Sequence, residues 1–146
     1  MLSLFACNQT QEANTSTDTN AASAKKVASD FESPLPKLAN IIAECTKVEY
    51  MLYDYGISFE SPTPGDAGRF YSYLLNEAAD ESKCRKGQHD GGVVFKDDEG
   101  DIKMSMEINI FKECNRAVFE IQGKRYALPI SDRGKAFFQQ VMNMQQ

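Results

Sequence analysis

Gly91–Ile130 reads GGVVFKDDEGDIKMSMEINIFKECNRAVFEIQGKRYALPI, and its alternation decides the fold class. From Ile102 to Ile110 every even position is apolar (Ile102, Met104, Met106, Ile108, Ile110), while Lys103, Ser105, Glu107 and Asn109 take the odd ones. Successive strand side chains point to opposite faces, so this strand buries one face and wets the other. The next apolar set is odd (Ala117, Phe119, Ile121) and the last is even (Tyr126, Leu128, Ile130). A type II′ turn at Gly123-Lys124 reconciles the parities: it sets Gln122 opposite Arg125, Ile121 opposite Tyr126, Phe119 opposite Leu128 and Ala117 opposite Ile130. Pairing Ile110 with Ala117, Ile108 with Phe119 and Met106 with Ile121 adds a third strand to the same apolar face. The strand Gly92–Lys96 turns back through Asp97-Asp98-Glu99-Gly100-Asp101 in a register open by one residue. Pro129 lacks a ladder donor, which places the last strand at an edge or ends it there.

Outward from this stretch, the reading is α+β: an antiparallel β-meander of about four to five strands with one face covered by two or three helices. Leu38, Ile41, Ile42 and Cys45 recur at helical spacing after Pro34 and Pro36, predicting a helix from about Pro36 to Cys45. Lys47–Tyr55 favours a strand. Thr63-Pro64-Gly65-Asp66 has the chemistry of a helix start, with Thr63 as cap and Asp66 in the first turn. Ala67, Phe70, Tyr71, Leu74, Leu75 and Ala78 then form a helical stripe; the rival reading makes Arg69–Leu74 a strand. Phe137, Phe138, Val141 and Met142 make a further stripe after Ser131-Asp132.

The chain has 146 residues, 42% of them hydrophobic, which suits one domain with a single core. A net charge of −5 opposes nucleic acid or an anionic membrane surface as the main partner. The expected organisation is a truncated signal-like segment over 1–6, a modified cysteine and disordered tether over 7–30, and a single α+β domain over 31–146. Asn8–Ala28 is rich in Asn, Thr, Ser, Gln and Ala with almost no large apolar residue, so it cannot offset its own ordering entropy. Such a tether reaches roughly 25 to 30 Å.

Leu4-Phe5-Ala6-Cys7 resembles the bacterial lipobox, in which a small residue precedes the cysteine that is lipidated. No Lys or Arg precedes this short apolar run, as expected if the start is annotated too far downstream. With the tether and a small α+β domain, the chain resembles small envelope lipoproteins of diderm bacteria. That resemblance implies lipidation at Cys7 and attachment to a membrane through the lipid. Asn8 in place of Asp implies outer-membrane sorting.

Three further cysteines remain. Cys84 and Cys114 each lie 15 residues from Glu99, so continuing the hairpin on equal arms brings them together, and a Cys84–Cys114 disulfide is expected in an oxidising compartment. Cys45, on its helix stripe, reads as a buried thiol. His89, the single histidine, lacks a second histidine, a nucleophile elbow and placed oxyanion donors, so it reads as a loop residue rather than a general base. The acidic turn does not match a calcium loop, and no zinc spacing, phosphate loop or dinucleotide fingerprint occurs, so neither cofactor nor metal is expected. Tyr50, Tyr53, Tyr55, Tyr71 and Tyr73 crowd one quarter of the chain and are the candidates for a groove that takes a protein or glycan ligand. The leading expectation is a non-enzymatic, lipid-anchored envelope protein. The alternatives are an inhibitor of an envelope-attacking, lysozyme-type hydrolase, suggested by acidity and a stapled domain, and a hydrolase.

Overall fold

Alternation is realised as one antiparallel sheet. The structure is a computed structural model that describes residues 30–61, 64–111 and 113–144. Cys7, nearly all of the 7–30 tether, the Thr63 cap and the Asp66 carboxylate lie outside the described residues. The sheet and its helices belong to one unit, Ser33–Gln146. Its elements in chain order are α1 (Leu35–Ala43), β1 (Lys47–Leu52), a 3₁₀ turn (Tyr53–Tyr55), β2 (Ile57–Ser61), α2 (Pro64–Phe70) and a second 3₁₀ turn (Tyr71–Tyr73). There follow β3 (Gly91–Lys96), β4 (Ile102–Phe111), β5 (Cys114–Ile121), β6 (Lys124–Pro129) and α3 (Asp132–Asn143).

Among the described residues the sheet has six strands in the order β2-β1-β3-β4-β5-β6, every neighbouring pair antiparallel. This corrects the expected four to five. The strand that raises the number is Ile57–Ser61, where a left-handed Gly56 (φ 59°) turns the chain back so that Leu52 faces Ile57 and Tyr50 faces Phe59. Three helices are described, and the α+β class holds.

The hairpin registers differ from the sequence expectation by two residues each. At β5–β6 the turn is Gln122-Gly123, both with positive φ (52° and 78°), a type I′ geometry whose twist matches the flanking strands. Phe119 therefore meets Tyr126 rather than Leu128, and Ala117 meets Leu128 rather than Ile130. At β4–β5 the strands run on to Phe111 opposite Cys114, so Met106 meets Phe119 and Ile108 meets Ala117. An even shift conserves side-chain parity, and the expected apolar face survives both corrections. Between β3 and β4 the open register resolves as a shift at Phe95/Lys96, and beyond it Ile102 is 62% exposed instead of joining the buried stripe. Pro129 ends β6, an edge strand, as expected.

Val48, Tyr50 and Leu52, Val93 and Phe95, Met104, Met106 and Ile108, and Ala117, Phe119 and Ile121 are buried on the face that the helices cover. From α1 come Leu35, Leu38 and Ile42; the helix ends at Ala43, so Cys45 lies just past it, still buried. The stripe expected to run to Ala78 is helical only through Phe70. From Leu74 the chain is extended and lies along β6: Leu74 bridges Ile130, and the N–H groups of Leu75 and Ala79 donate to the carbonyls of Pro129 and Ala127 at 2.9 Å. The unpaired groups of an edge strand outcompete helix continuation there, and Leu75 is left exposed. Helix α3 starts as its sequence implies, with the Ser131 hydroxyl accepting from the Gly134 N–H at 3.2 Å.

Phe70 is the aromatic hub, fully buried with its ring 5.4 Å from Phe95, 5.7 Å from Tyr73 and 6.4 Å from Phe138 in edge-on contacts. Phe70→Ala is expected to lower stability by about 3–5 kcal/mol in denaturant unfolding, whereas Tyr71→Ala, at an exposed ring, should cost under about 1 kcal/mol.

Candidate functional site

A sheet with one covered face has a second face, and here that face is not bare. Arg116 points to the polar side of β5, opposite in parity to Ala117, yet it is 5% exposed; Asn109, its cross-strand neighbour, is 6% exposed. Both are buried by the segment 81–90 that leads into β3. The Arg116 Nε–H donates to Asn109 Oδ1 at 3.1 Å, and the Asn109 side-chain Nδ2–H donates to the Gln88 backbone carbonyl at 3.0 Å. Asp90 ties the end of the segment to β4: its N–H donates to the Ile108 carbonyl at 2.9 Å, and its carboxylate accepts from the Ile110 N–H at 2.8 Å.

Glu81 completes the anchoring. Its Oε1 accepts from Arg116 Nη1 and, at 2.6 Å, from Arg125 Nη2, while Oε2 accepts from Arg125 Nη1 at 3.1 Å. The carboxyl is held below its ordinary value of 4.5, chiefly by the Arg125 hydrogen bonds, with the charges of Arg125 and Arg116 adding and burial opposing. A buried guanidinium without this partner would carry the desolvation penalty alone.

The expected disulfide is present: Cys84 and Cys114 are bridged with Cα atoms 4.9 Å apart across a sequence separation of 30. It fixes the middle of the segment to the start of β5. Beneath the segment lies a half-open cavity of about 430 Å³, lined by Glu81, Cys84, Lys86 and Gly87 from above and His89 beside them. Arg116, Val118 and Arg125 form its floor on the sheet. Among the lining groups His89 Nδ1 is buried without a hydrogen-bond partner. The polar face of the sheet thus carries this pocket at one end.

The tyrosines expected to form a groove are divided. Tyr50 and Tyr73 are core residues, 3% and 5% exposed, stacked at 5.0 Å on Phe59 and Phe137 respectively. Tyr53, Tyr55 and Tyr71 are exposed. Tyr53 lies over the polar face, where its hydroxyl donates to Glu107 Oε2 at 3.1 Å; burial first, and the Glu107 charge second, push the phenol up. Room for this comes from Gly92. A Cβ on Gly92 would come within 2.9 Å of the Tyr53 hydroxyl, and one on Gly91 within 2.2 Å of the Met51 carbonyl. Cys45 is a buried thiol that donates to the Ile41 carbonyl with its Sγ 3.3 Å from the oxygen, and burial above all raises its pKa, which disfavours the thiolate. In the acidic turn the Asp97 carboxylate accepts from the N–H groups of Glu99 and Asp101 and pairs with Lys103 at 3.1 Å, an arrangement that shapes the turn. Among the described residues, no group of three or more His, Cys, Asp or Glu side chains is placed to hold a metal ion.

Comparison with protein-family models, with curated proteins and with solved structures returned no match to this chain. The chemistry of the pocket therefore rests on its own geometry.

Two measurements probe it. Replacing Cys84 and Cys114 by Ser is expected to lower stability by roughly 3 to 4 kcal/mol, the chain-entropy value for a closed loop of this length, measured by denaturant unfolding without reductant. Glu81, with its folded pKa depressed, contributes stability that is complete above the unfolded value and is lost as pH falls below 4.5 and through the depressed value. The stability difference between the wild type and Glu81→Gln should accordingly be largest near neutral pH and shrink as pH drops through that window.

Proposed function

We propose that the chain is an exported, lipid-anchored binding module of the bacterial cell envelope, without catalytic activity, whose ligand enters the pocket under residues 81–90. The observation that carries this reading is the Cys84–Cys114 bridge. A disulfide that holds a polar loop over a polar sheet face persists in an oxidising compartment and is reduced in a cytosolic one. The lipobox-like Leu4-Phe5-Ala6-Cys7 and the polar segment after it supply the route and the anchor: export, lipidation at Cys7, outer-membrane sorting through Asn8, and a tether that holds the domain clear of the headgroups. No helix among the described residues is long and apolar enough to cross a membrane.

Binding is favoured over catalysis by the site itself. His89 is the only histidine in the chain, and none of the residues lining the pocket with it is a Ser, a Thr or a free Cys that it could activate. What the pocket offers is fixed charge on a braced floor, the equipment of recognition.

Expression of the full gene in a diderm host with a palmitate analogue tests the anchor. The wild type should be labelled and sediment with membranes, and Cys7→Ala should be unlabelled and soluble. Equal labelling of both, or a soluble wild type, would sink the proposal.

A further inference from the structure

The pocket already contains a bound carboxylate, that of Glu81, and its surroundings exceed what Glu81 needs. Lys86, Arg116 and Arg125 line the same cavity with this one carboxylate among them, in a chain whose net charge is −5. Among the described residues Lys86 has no ion-pair or hydrogen-bond partner. Arg125 is half exposed at its side chain, so the outer of the two guanidinium groups is reachable from solvent. Glu120, directly across from Arg125 in the ladder, does not line the cavity.

We propose that this pocket binds a small organic carboxylate, held by Lys86 and Arg125 in competition with Glu81. Arg125 presents both terminal nitrogens to one carboxylate, and planar fork-to-fork pairing is the geometry a ligand carboxylate would reuse. A cavity of about 430 Å³ is an order of magnitude larger than the ~30 Å³ share of one water, so it suits an anion with a carbon body rather than a bare inorganic ion. Val118 and Cys84 give that body an apolar wall, with His89 beside them. Arg116, locked to Asn109 and Glu81, supplies charge at the floor without moving.

The proposal rests on the pocket as a binding site and not on the lipid anchor, so the full chain carrying Cys7→Ala serves for the test. Amide NMR titration with benzoate should move resonances of His89, Val118 and Arg125, and the neutral isostere benzamide should not. A second pair, acetyl-Ala-Ala and its C-terminal amide, separates a peptide terminus from a free acid as the source of the carboxylate. Arg125→Gln is expected to weaken the binding acid about tenfold and Lys86→Gln about threefold, the size of lost charge-assisted hydrogen bonds at a solvated rim. Glu81→Gln, which removes the competitor, should tighten it. If neither acid moves these resonances, if the neutral partners bind as well, or if Arg125→Gln leaves affinity unchanged, the proposal falls. Lys86 and Arg125 are exposed, so these two variants keep the test decisive if Glu81→Gln fails to fold.

Discussion

A guanidinium buried on the polar side of a sheet has to be answered by other groups, and much of the molecule is arranged to answer Arg116. Water cannot solvate it, so Asn109 takes one edge and Glu81 the other. Glu81 reaches it only because the segment 81–90 crosses the sheet, and the segment crosses because a disulfide holds its middle and Asp90 holds its end. Removing any one of these leaves the others with a charge or a backbone group unpaired.

The sheet's two faces thus follow different physics. One is packed by Tyr50, Phe70, Phe95 and Phe138 against the helices, where area removed from water dominates and the contacts are tolerant of detail. The other is held by a few directional bonds between charges, which are intolerant of detail. Even the β1–β3 side of that face shows the pattern: Glu49 and Glu60 stand directly opposite each other, and Lys96 pairs with both, at 2.7 and 3.3 Å. The apolar face sets how stable the domain is; the polar face sets where its loop lies.

This difference explains what could be read in advance. Parity named the buried residues of β4, β5 and β6 because burial depends on which side a residue points to. Register was missed by two residues in both hairpins because parity is blind to an even slip. The tie is broken by a turn in which Gln122 takes a left-handed conformation, and no Asn-Gly signal marks it. β2 is five residues with a single fully buried side chain, Ile57, too little alternation to read. The helical stripe after Pro64 was real as far as Phe70, but nothing local told Leu74 that an edge strand would capture it. The disulfide was legible because Cys84 and Cys114 are symmetric about the turn at Glu99. The Arg116–Glu81–Arg125 cluster joins residues 35 and 44 positions apart, and ion pairs leave no spacing in a sequence. A charged residue between Cys114 and Val118, inside a strand, was its one trace.

β3 to β6 follow one another through tight turns, whereas β1 and β3 are neighbours in the sheet yet separated along the chain by everything from Tyr53 to Asp90. That excursion leaves from one strand and returns to the adjacent one, its two ends joined where the Tyr53 N–H donates to the Asp90 carbonyl at 2.9 Å. Closing so long a loop adds little entropy cost per extra residue. The molecule is therefore a short-range scaffold with one long excursion, whose first part supplies β2 and the core ring of Phe70 and whose last part, residues 81–90, supplies the loop over the pocket. The loop brings Glu81, Cys84, Lys86 and His89, and the scaffold contributes Arg116, Val118 and Arg125. Exchanging only the positions between Glu81 and Asp90 while keeping those two residues and Cys84 in place would re-equip the pocket without rebuilding the sheet.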